Sequence, residues 1–358
     1  MRIVFASGKG GAGKTTVAAS LAVIWPDPCM MVDADVEAPN LHLFLRPQLG
    51  APESVFLPVP ELNREKCTAC GACGEMCAYK AIAILGGKPV IFPDMCHGCG
   101  GCFAVCPAGA LDEGRRELGC LQHGVWNSVS GREDVLLMGR SRVGEAMSPP
   151  LLRALEKALD ARMGARRNAQ NDARRNAGAV AETLPGVLPD VLPDVLPDVL
   201  PDVLIDAPPG VSCPAMTTAR LADAVVLVAE PTPFGMYDFT LAHRAFSQLR
   251  MPLAVVMNRV GMPGNESGDE ILDRYCAENG LPLLARLPFD RQAAEGYARG
   301  QLPPVGQSAG AAAWRRRFEA LGKDLRRWAA AAQDRETVAQ ASGTCGVPAA
   351  KGETPCAK

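Results

Sequence analysis

The sequence GKGGAGKT, residues 8–15, decides the fold class of this chain of 358 residues. It fits the pattern GxxxxGK[ST] and lies between a short apolar run, residues 3–6, and a helix-compatible stretch, residues 15–24. Glycines let backbone N–H groups turn inward around phosphate groups, and the N-terminus of the following helix adds partial positive charge. The stretch therefore predicts a phosphate-binding loop between a strand and a helix.

The residue types in this loop predict how a nucleotide is held. Lys14 is expected to contact the β and γ phosphates, and the hydroxyl of Thr15 to hold Mg²⁺. A carboxylate is also needed beside the metal, and Asp206 is the candidate because it ends the apolar run 203–205. An aspartate that only caps the next helix is the alternative. The residues predicted to surround the phosphates are Gly10, Gly11, Ala12, Gly13, Lys14, Thr15 and Thr16.

Short apolar runs continue along the chain and are separated by segments of helix length. They comprise residues 29–32, 203–205, 224–229, 253–257 and 283–287. Continuous apolar strands that alternate with helices are typical of a parallel sheet covered on both faces. The predicted fold class is α/β, with a doubly wound, mostly parallel sheet.

Charge and hydropathy exclude several classes of protein. Lysine and arginine number 37 against 39 aspartates and glutamates, so no basic excess favours nucleic acid as a partner. Every stretch without a charged residue, among them 300–314, is shorter than the roughly 20 apolar residues of a spanning helix. Residues 3–6 are too short for the apolar region of a secretory signal. We expect a cytoplasmic protein without a transmembrane segment.

Cysteines are concentrated in one window. Of the 14 cysteines, eight lie in residues 67–106, where the pattern CxxCxxCxxxC occurs twice. In a reducing compartment such a cluster indicates metal rather than disulfides. Two [4Fe–4S] clusters are predicted, each held by three close thiolates of one repeat and the fourth of the other. The first set is Cys67, Cys70, Cys73 and Cys106, and the second is Cys96, Cys99, Cys102 and Cys77. Zinc is the alternative, although its sites typically use paired CxxC motifs.

Two segments are predicted to lie outside the folded domains. One is residues 164–201, where the LPDV repeat begins. LPDV occurs four times from Leu188 to Val203, and a proline at every fourth residue forbids a helix interior or a central strand. The tail after residue 332 is predicted to be disordered. The predicted organisation is an ATPase domain in three parts (1–56, 117–163 and 202–332), an inserted cysteine-rich domain (57–116), a disordered spacer (164–201) and the tail (333–358).

A helix predicted over residues 311–332 carries one apolar face. Its members are Trp314, Phe318, Leu321, Leu325 and Trp328. Their spacing of three and four residues is that of an amphipathic helix. Arginines flank the face, so two interpretations are open: packing on the sheet, or binding at a membrane surface.

Three motifs together resemble those of the deviant Walker A ATPases, the group that includes MinD, ParA, Mrp-type proteins and the nitrogenase iron protein. They are KGGAGKTT at 9–16, which contains Lys9 as well as Lys14, DADVEAPN at 33–40 and DAPPG at 206–210. The resemblance implies an ATPase that dimerises around ATP and Mg²⁺. It implies that Lys9 reaches the nucleotide of the partner subunit and that Asp35 positions the attacking water. Gly210 would then lie near the γ-phosphate, and Asn258 would recognise adenine.

The cysteine window resembles a bacterial two-cluster ferredoxin from Asn63 to Asp112, except that Ala78 stands where proline is usual. The ATPase pattern resumes at residues 139–148, so the whole chain is similar to MinD-superfamily ATPases with an inserted α+β ferredoxin domain. This implies a homodimer, or a heterodimer with a paralogue, that couples ATP hydrolysis to electron transfer or to iron–sulfur or metal-cofactor assembly on a partner protein.

Two other functions fit parts of the sequence, and Cys213 has two interpretations. A spatial-positioning ATPase like MinD and ParA is the alternative function, although it leaves the clusters without a purpose. An amidotransferase-type synthase is a third, but its glutaminase needs a Cys–His pair, and no histidine follows Leu287. Cys213 lies seven residues after Asp206, where the nitrogenase iron protein carries a cluster cysteine. A buried structural cysteine and a dimer-bridging ligand are the two interpretations of Cys213.

Overall fold

The computed structural model describes residues 1–145, 147–175 and 201–341. Its strands are β1 (Arg2–Ala6), β2 (Cys29–Asp33), β3 (Gln48–Leu49), β4 (Glu53–Leu62), β5 (Ile82–Leu85), β6 (Lys88–Ile91), β7 (Leu111–Asn127), β8 (Glu133–Ser141), β9 (Asp202–Asp206), β10 (Ala224–Ala229), β11 (Leu253–Val260) and β12 (Leu283–Pro288). Its helices are α1 (Lys14–Val23), α2 (Leu41–Leu45), α3 (Ala72–Met76), α4 (Gly101–Ala104), α5 (Ser148–Arg175), α6 (Cys213–Ala219), α7 (Pro233–Ser247), α8 (Glu266–Glu278), α9 (Arg291–Ala298) and α10 (Ala309–Ala341).

A ten-stranded sheet forms the centre of the molecule in the order β12-β11-β10-β1-β9-β2-β8-β7-β3, with β4 also paired to β7. The strands from β12 to β8 run parallel, whereas β3, β4 and β8 pair with β7 antiparallel. Each apolar run predicted as a strand lies in this parallel part, and β2 and β10 are buried along their whole length. The prediction of an α/β, mostly parallel sheet is confirmed.

Helices cover both faces of the sheet, which explains why its central strands carry apolar residues in succession. On one face, α5, α6, α7 and α8 pack against β1, β9, β10 and β11. On the other face, α1, α2 and α10 pack against the same strands and against β2. The carboxyl ends of the parallel strands are thereby left at one edge, where loops can form a ligand site.

Helix α10 settles the two interpretations of its apolar face. Phe318, Leu321 and Leu325 are at most 1% exposed, Trp314 is buried, and Trp328 packs against the same core. The face therefore packs on the protein, and the membrane-surface interpretation is wrong for these residues.

The predicted boundaries of the spacer and the tail are wrong in two places. Helix α5 continues to Arg175, twelve residues into the segment predicted to be disordered, and α10 continues to Ala341. Both extensions are rich in alanine, arginine and glutamine, which have high helix propensity. The LPDV repeats up to residue 200 and the last part of the tail lie outside the described residues.

The cysteine-rich insert is carried on a two-stranded ribbon. β4 and β7 pair from Glu53 opposite Leu121 to Leu62 opposite Leu111, and β7 continues into the main sheet. The predicted boundaries 57–116 therefore cut through sheet strands, and the cysteine-rich part proper occupies residues 63–110. Those residues contain α3, the β5–β6 hairpin and α4.

Candidate functional site

The phosphate-binding loop lies between β1 and α1, at the carboxyl edge of the parallel strands. Gly11 and Gly13 have φ values of 85° and 93°, a region that glycine adopts without strain. The side-chain amide of Asn258 donates a hydrogen bond to the carbonyl of Ala12 at 2.9 Å. A Cβ atom on Gly13 would lie 2.1 Å from that amide nitrogen, so the loop and the end of β11 fit together only with glycine at this position.

Lys14, Thr15 and Asp206 form a buried polar group beneath the loop. The Lys14 Nζ atom lies 2.5 Å from Asp206 Oδ1, and the Thr15 hydroxyl donates to Asp206 Oδ2 at 2.6 Å. Asp206 is fully buried at the end of β9, and Lys14 is 6% exposed on the first turn of α1. The structure thus brings together the lysine, hydroxyl and carboxylate that the sequence predicted for phosphate and magnesium binding.

Asp33, at the end of β2, adds a second buried carboxylate that sequence reasoning did not assign. It lies opposite Asp206 on the neighbouring strand and accepts backbone N–H bonds from Asp35, Asn40 and Leu41. Burial, and then the charge of Asp206, raises the pKa of Asp33 to about 8. In the sequence, the role of Asp33 at the site is indicated only by its position as the first polar residue after an apolar run.

Asp35 lies two residues further on and is partly buried. Burial raises its pKa, while the nearby charge of Lys14 opposes that shift. The interaction with Lys14 places Asp35 at the nucleotide edge. On the opposite side of the site, the backbone N–H of Gly210 donates to the carbonyl of Ser7 at 2.9 Å, with Gly210 at φ 82°.

Lys9 contacts a carboxylate of its own chain. Its Nζ atom lies 3.4 Å from Glu230 Oε2, and Arg259 donates to Glu230 Oε1 at 2.8 Å. Glu230 was not predicted as a site residue, although it directly follows β10 and so lies, like Asp206, at the end of an apolar strand. Lys9 is about three-tenths exposed and remains accessible from outside the chain.

The cysteines of the insert line two separate cavities. We call the first the far cysteine site, because it lies at the outer end of the ribbon, away from the main sheet; it contains Cys67, Cys70, Cys73 and Cys106. We call the second the near cysteine site; it contains Cys77, Cys96, Cys99 and Cys102. Each cavity therefore combines three cysteines of one repeat with the last cysteine of the other, which is the grouping that the sequence predicted.

Backbone amides point at three of these sulfur atoms. The N–H groups of Ala81, Gly98 and Ala110 donate to the Sγ atoms of Cys77, Cys96 and Cys106 at 3.2–3.4 Å. In the chain as far as the structure describes it, no group of three or more histidine, cysteine or acidic side chains is arranged to hold a single metal ion.

Cys213 is exposed at the start of α6, so its interpretation as a buried structural cysteine is wrong. It lies three residues after Gly210, the last residue of the DAPPG loop, where the chain has left strand β9. Among the helices that the structure describes, none combines the length and apolar character needed to cross a membrane.

A glycine-rich loop after β1, a lysine and threonine on α1 and a carboxylate at the end of β9 define a P-loop nucleotide-binding protein. Residues 3–304 match the family model of the CobQ/CobB/MinD/ParA nucleotide binding domain, and the chain belongs to this family.

Two uncharacterised proteins of Methanocaldococcus jannaschii are similar over most of their length. One, MJ0579, is 22% identical over 84% of this chain and 90% of its own length. The other, MJ0578, is 27% identical over 73% of this chain and 79% of its own length. A 62-residue segment is 44% identical to part of indolepyruvate oxidoreductase subunit IorA of Pyrococcus horikoshii, 16% of this chain and 9% of that protein.

Solved structures with a similar fold include two archaeal MinD proteins. The cell division ATPase MinD of Pyrococcus furiosus is 18% identical with a TM-score of 0.44, covering 91% of this chain and 98% of that one. The septum site-determining protein MinD of Pyrococcus horikoshii, in complex with Mg-ADP, is 18% identical with a TM-score of 0.43, covering 90% and 95%.

Proposed function

We propose that this protein is an ATPase whose inserted domain binds two [4Fe–4S] clusters. In this proposal, a nucleotide-dependent dimer controls electron transfer to a partner protein or assembly of its iron–sulfur or metal cofactor. The observation that carries the proposal is the grouping of eight cysteines into two cavities of four, each with three cysteines from one repeat.

The cysteine sites fit an iron–sulfur cluster in two respects. Four thiolates surround each cavity, and amide N–H groups donate to sulfur, an interaction that tunes cluster potentials. In a cube of four irons each thiolate binds a different iron, so its cysteines stand farther apart than the ligands of a single ion. Such a cluster supplies one-electron transfer when it is bound. The similarity of a short segment to an oxidoreductase subunit agrees with a redox role.

The nucleotide site would act through residues of this chain in named roles. Thr15 and Asp206 would hold Mg²⁺, which supplies positive charge at the β and γ phosphates. Lys14 would exchange its contact with Asp206 for a phosphate oxygen. Asp35, whose pKa is raised by burial, would orient the attacking water and accept its proton. Asp33 would hold a proton near neutral pH and so limit the negative charge beside Asp206.

A dimer that closes over the nucleotide is supported by the surface beside the phosphate loop. Helix α7 touches this loop, because a Cβ on Gly8 would lie 2.1 Å from the carbonyl oxygen of Asp238. On the same helix Phe234 is 81% exposed and Tyr237 is 67% exposed. Exposed aromatic side chains of this kind commonly mark interfaces between proteins. Lys9 would leave Glu230 and reach the nucleotide of the partner subunit.

The test is the iron and sulfide content of anaerobically purified protein, followed by EPR of the dithionite-reduced form with and without Mg-ATP. We expect about eight irons per chain and a spectrum that changes with nucleotide. Cys73→Ser and Cys102→Ser should each lower the iron content, whereas Cys120→Ser, outside both cavities, should not. Zinc in place of iron would refute the cluster assignment. Eight irons with no response to nucleotide would favour a ferredoxin domain that works independently of the ATPase.

A further inference from the structure

The two cysteine sites differ in their contacts with the nucleotide-binding domain. Near the base of the ribbon, Cys96 packs with Leu57, Leu118 and Met147. A Cβ on Gly98 would lie 2.7 Å from the Leu57 side chain, so this loop sits directly on β4. The far site is lined instead by residues from the outer end of the ribbon, Leu62 and Leu111. Only the near site therefore contacts the residues that connect the ribbon to the ATPase domain.

A buried ion pair joins the near site to the segment before α5. Arg116 on β7 lies 2.7 Å from Glu145, and the two side chains are 7% and 2% exposed. The same guanidinium donates to the carbonyl of Cys96 at 3.1 Å. Glu145 in turn accepts the backbone N–H of Met147 at 3.0 Å. A cation therefore lies beside the near cysteine loop, and its position depends on Glu145, which is itself bonded to Met147.

The same segment contacts the nucleotide site from its other end. The hydroxyl of Ser148, the first residue of α5, donates to Glu37 Oε1 at 2.5 Å. The carbonyl of Val36 accepts the N–H of Ser141 at 2.7 Å. Glu37 and Val36 directly follow Asp35, whose charge interacts with that of Lys14. Two independent hydrogen bonds thus connect residues 36 and 37 to Ser141 and Ser148.

We propose that Arg116 and Glu145 are positioning residues that transmit the nucleotide state of residues 35–37 to the near cysteine site. Exchange of ADP for ATP then changes the reduction potential of the cluster at the near site and leaves that at the far site unchanged. The physical basis is that cluster potentials follow nearby charge and hydrogen bonds to sulfur. The Arg116 guanidinium supplies positive charge beside Cys96, and its bond to the Cys96 carbonyl holds the loop in which the Gly98 N–H donates to Cys96 Sγ. This inference rests on the proposed function, because it requires both clusters.

The test is an EPR-monitored redox titration of the anaerobic full-length chain with Mg-ADP and with a non-hydrolysable Mg-ATP analogue. We expect one of two midpoint potentials to shift with nucleotide. Cys70→Ser and Cys99→Ser replace equivalent exposed cysteines of the two sites. The shift should persist in Cys70→Ser and disappear in Cys99→Ser. A shift that disappears in Cys70→Ser instead would overturn the assignment to the near site.

Ser148→Ala and Glu145→Gln test the route itself. Both variants should keep two clusters by iron and sulfide count. Glu145→Gln should lose most of the nucleotide-dependent shift, and Ser148→Ala should lose part of it, because the backbone hydrogen bond between Ser141 and Val36 stays in place. The matched controls are Ser54→Ala and Glu117→Gln, since these residues form an exposed Ser–Glu hydrogen bond of 2.7 Å on the same ribbon. The controls should keep the shift, and equal behaviour of the two pairs would overturn the route.

The outcomes separate this inference from the proposed function. A chain without iron would refute the proposed function and the inference together. Two clusters whose EPR spectrum responds to nucleotide while both midpoint potentials stay unchanged would overturn the inference alone. The rate of iron release to a chelator gives a second readout, and we expect nucleotide to change it in the unmodified chain and not in Glu145→Gln.

Discussion

Replacement of Lys14 by methionine is expected to destabilise the nucleotide-free protein by about 3–5 kcal/mol. Lys14 is 6% exposed and Asp206 fully buried, with 2.5 Å between their charged atoms. Methionine keeps most of the side-chain volume but leaves the Asp206 carboxylate without a cation and next to Asp33. Removal of one partner of a buried ion pair carries that cost, because the other charge stays in a medium that solvates it poorly.

Urea and thermal unfolding, monitored by the fluorescence of the buried Trp25 and Trp126, would measure the loss of stability. A loss of this size corresponds to a fall in Tm of roughly 6–20 °C for a domain of 150–250 residues. Asp206→Asn should be destabilising to a similar extent. The double variant should lose less than the sum of the single losses by at least about 2 kcal/mol, because it leaves no buried charge unpaired.

The exposed Lys157 provides the matched control, and Lys157→Met should change stability by less than about 0.5 kcal/mol. Strictly additive single and double variants would refute the reasoning that the pair is coupled.

Three further predictions concern the same edge of the sheet. Gly13→Ala should weaken ATP binding by about tenfold or more, because its Cβ would lie 2.1 Å from the Asn258 amide. Gly164→Ala, on α5, has nothing within 4 Å of its Cβ and should bind ATP normally in calorimetry, and equal affinities of the two variants would contradict the steric argument. Lys9→Ala should spare ATP binding and weaken ATP-dependent dimerisation in sedimentation, and an intact dimer would exclude its role at the partner subunit. The pKa of Asp33 is about 8 in the native state and about 4 in the unfolded chain, so the native state binds more protons between these pH values. The free energy of unfolding therefore falls as pH rises from about 5 to about 8, and Asp33→Asn should flatten this dependence. Identical slopes in urea titrations of the two proteins would contradict the raised pKa.

The parallel core was predictable because its strands are buried on both faces and read as continuous apolar runs. The run 224–229 coincides with β10, and residues 29–32 fall within β2. The ribbon strand β4 was not predicted, because Pro58 and Pro60 argue against a strand. Both prolines are accommodated because, in the part of the chain that the structure describes, β4 pairs with β7 alone and no second strand needs their missing N–H groups.

Site residues that belong to a sequence motif were predictable, whereas residues whose role depends on burial and on neighbouring strands were not. Lys14, Thr15 and Asp206 follow from spacing and from the end of an apolar strand. Asp33 and Glu230 end strands in the same way, but their importance comes from neighbours on other strands: Asp206 for Asp33, and Lys9 and Arg259 for Glu230. Such contacts depend on strand order, which the local sequence does not contain.

The ribbon that carries the cysteine-rich part has its entry and exit side by side. Leu62 is paired with Leu111, and the N–H of Asn63 bonds to the carbonyl of Ala110 at 2.9 Å. A two-residue hairpin turn could close the ribbon at this point with the paired strands left in place. Residues 63–110 could therefore be excised at one point to leave the nucleotide-binding domain without either cysteine site. A graft onto the hairpin of another protein would also have to carry Leu57, Arg116 and Leu118, which contact the near cysteine site.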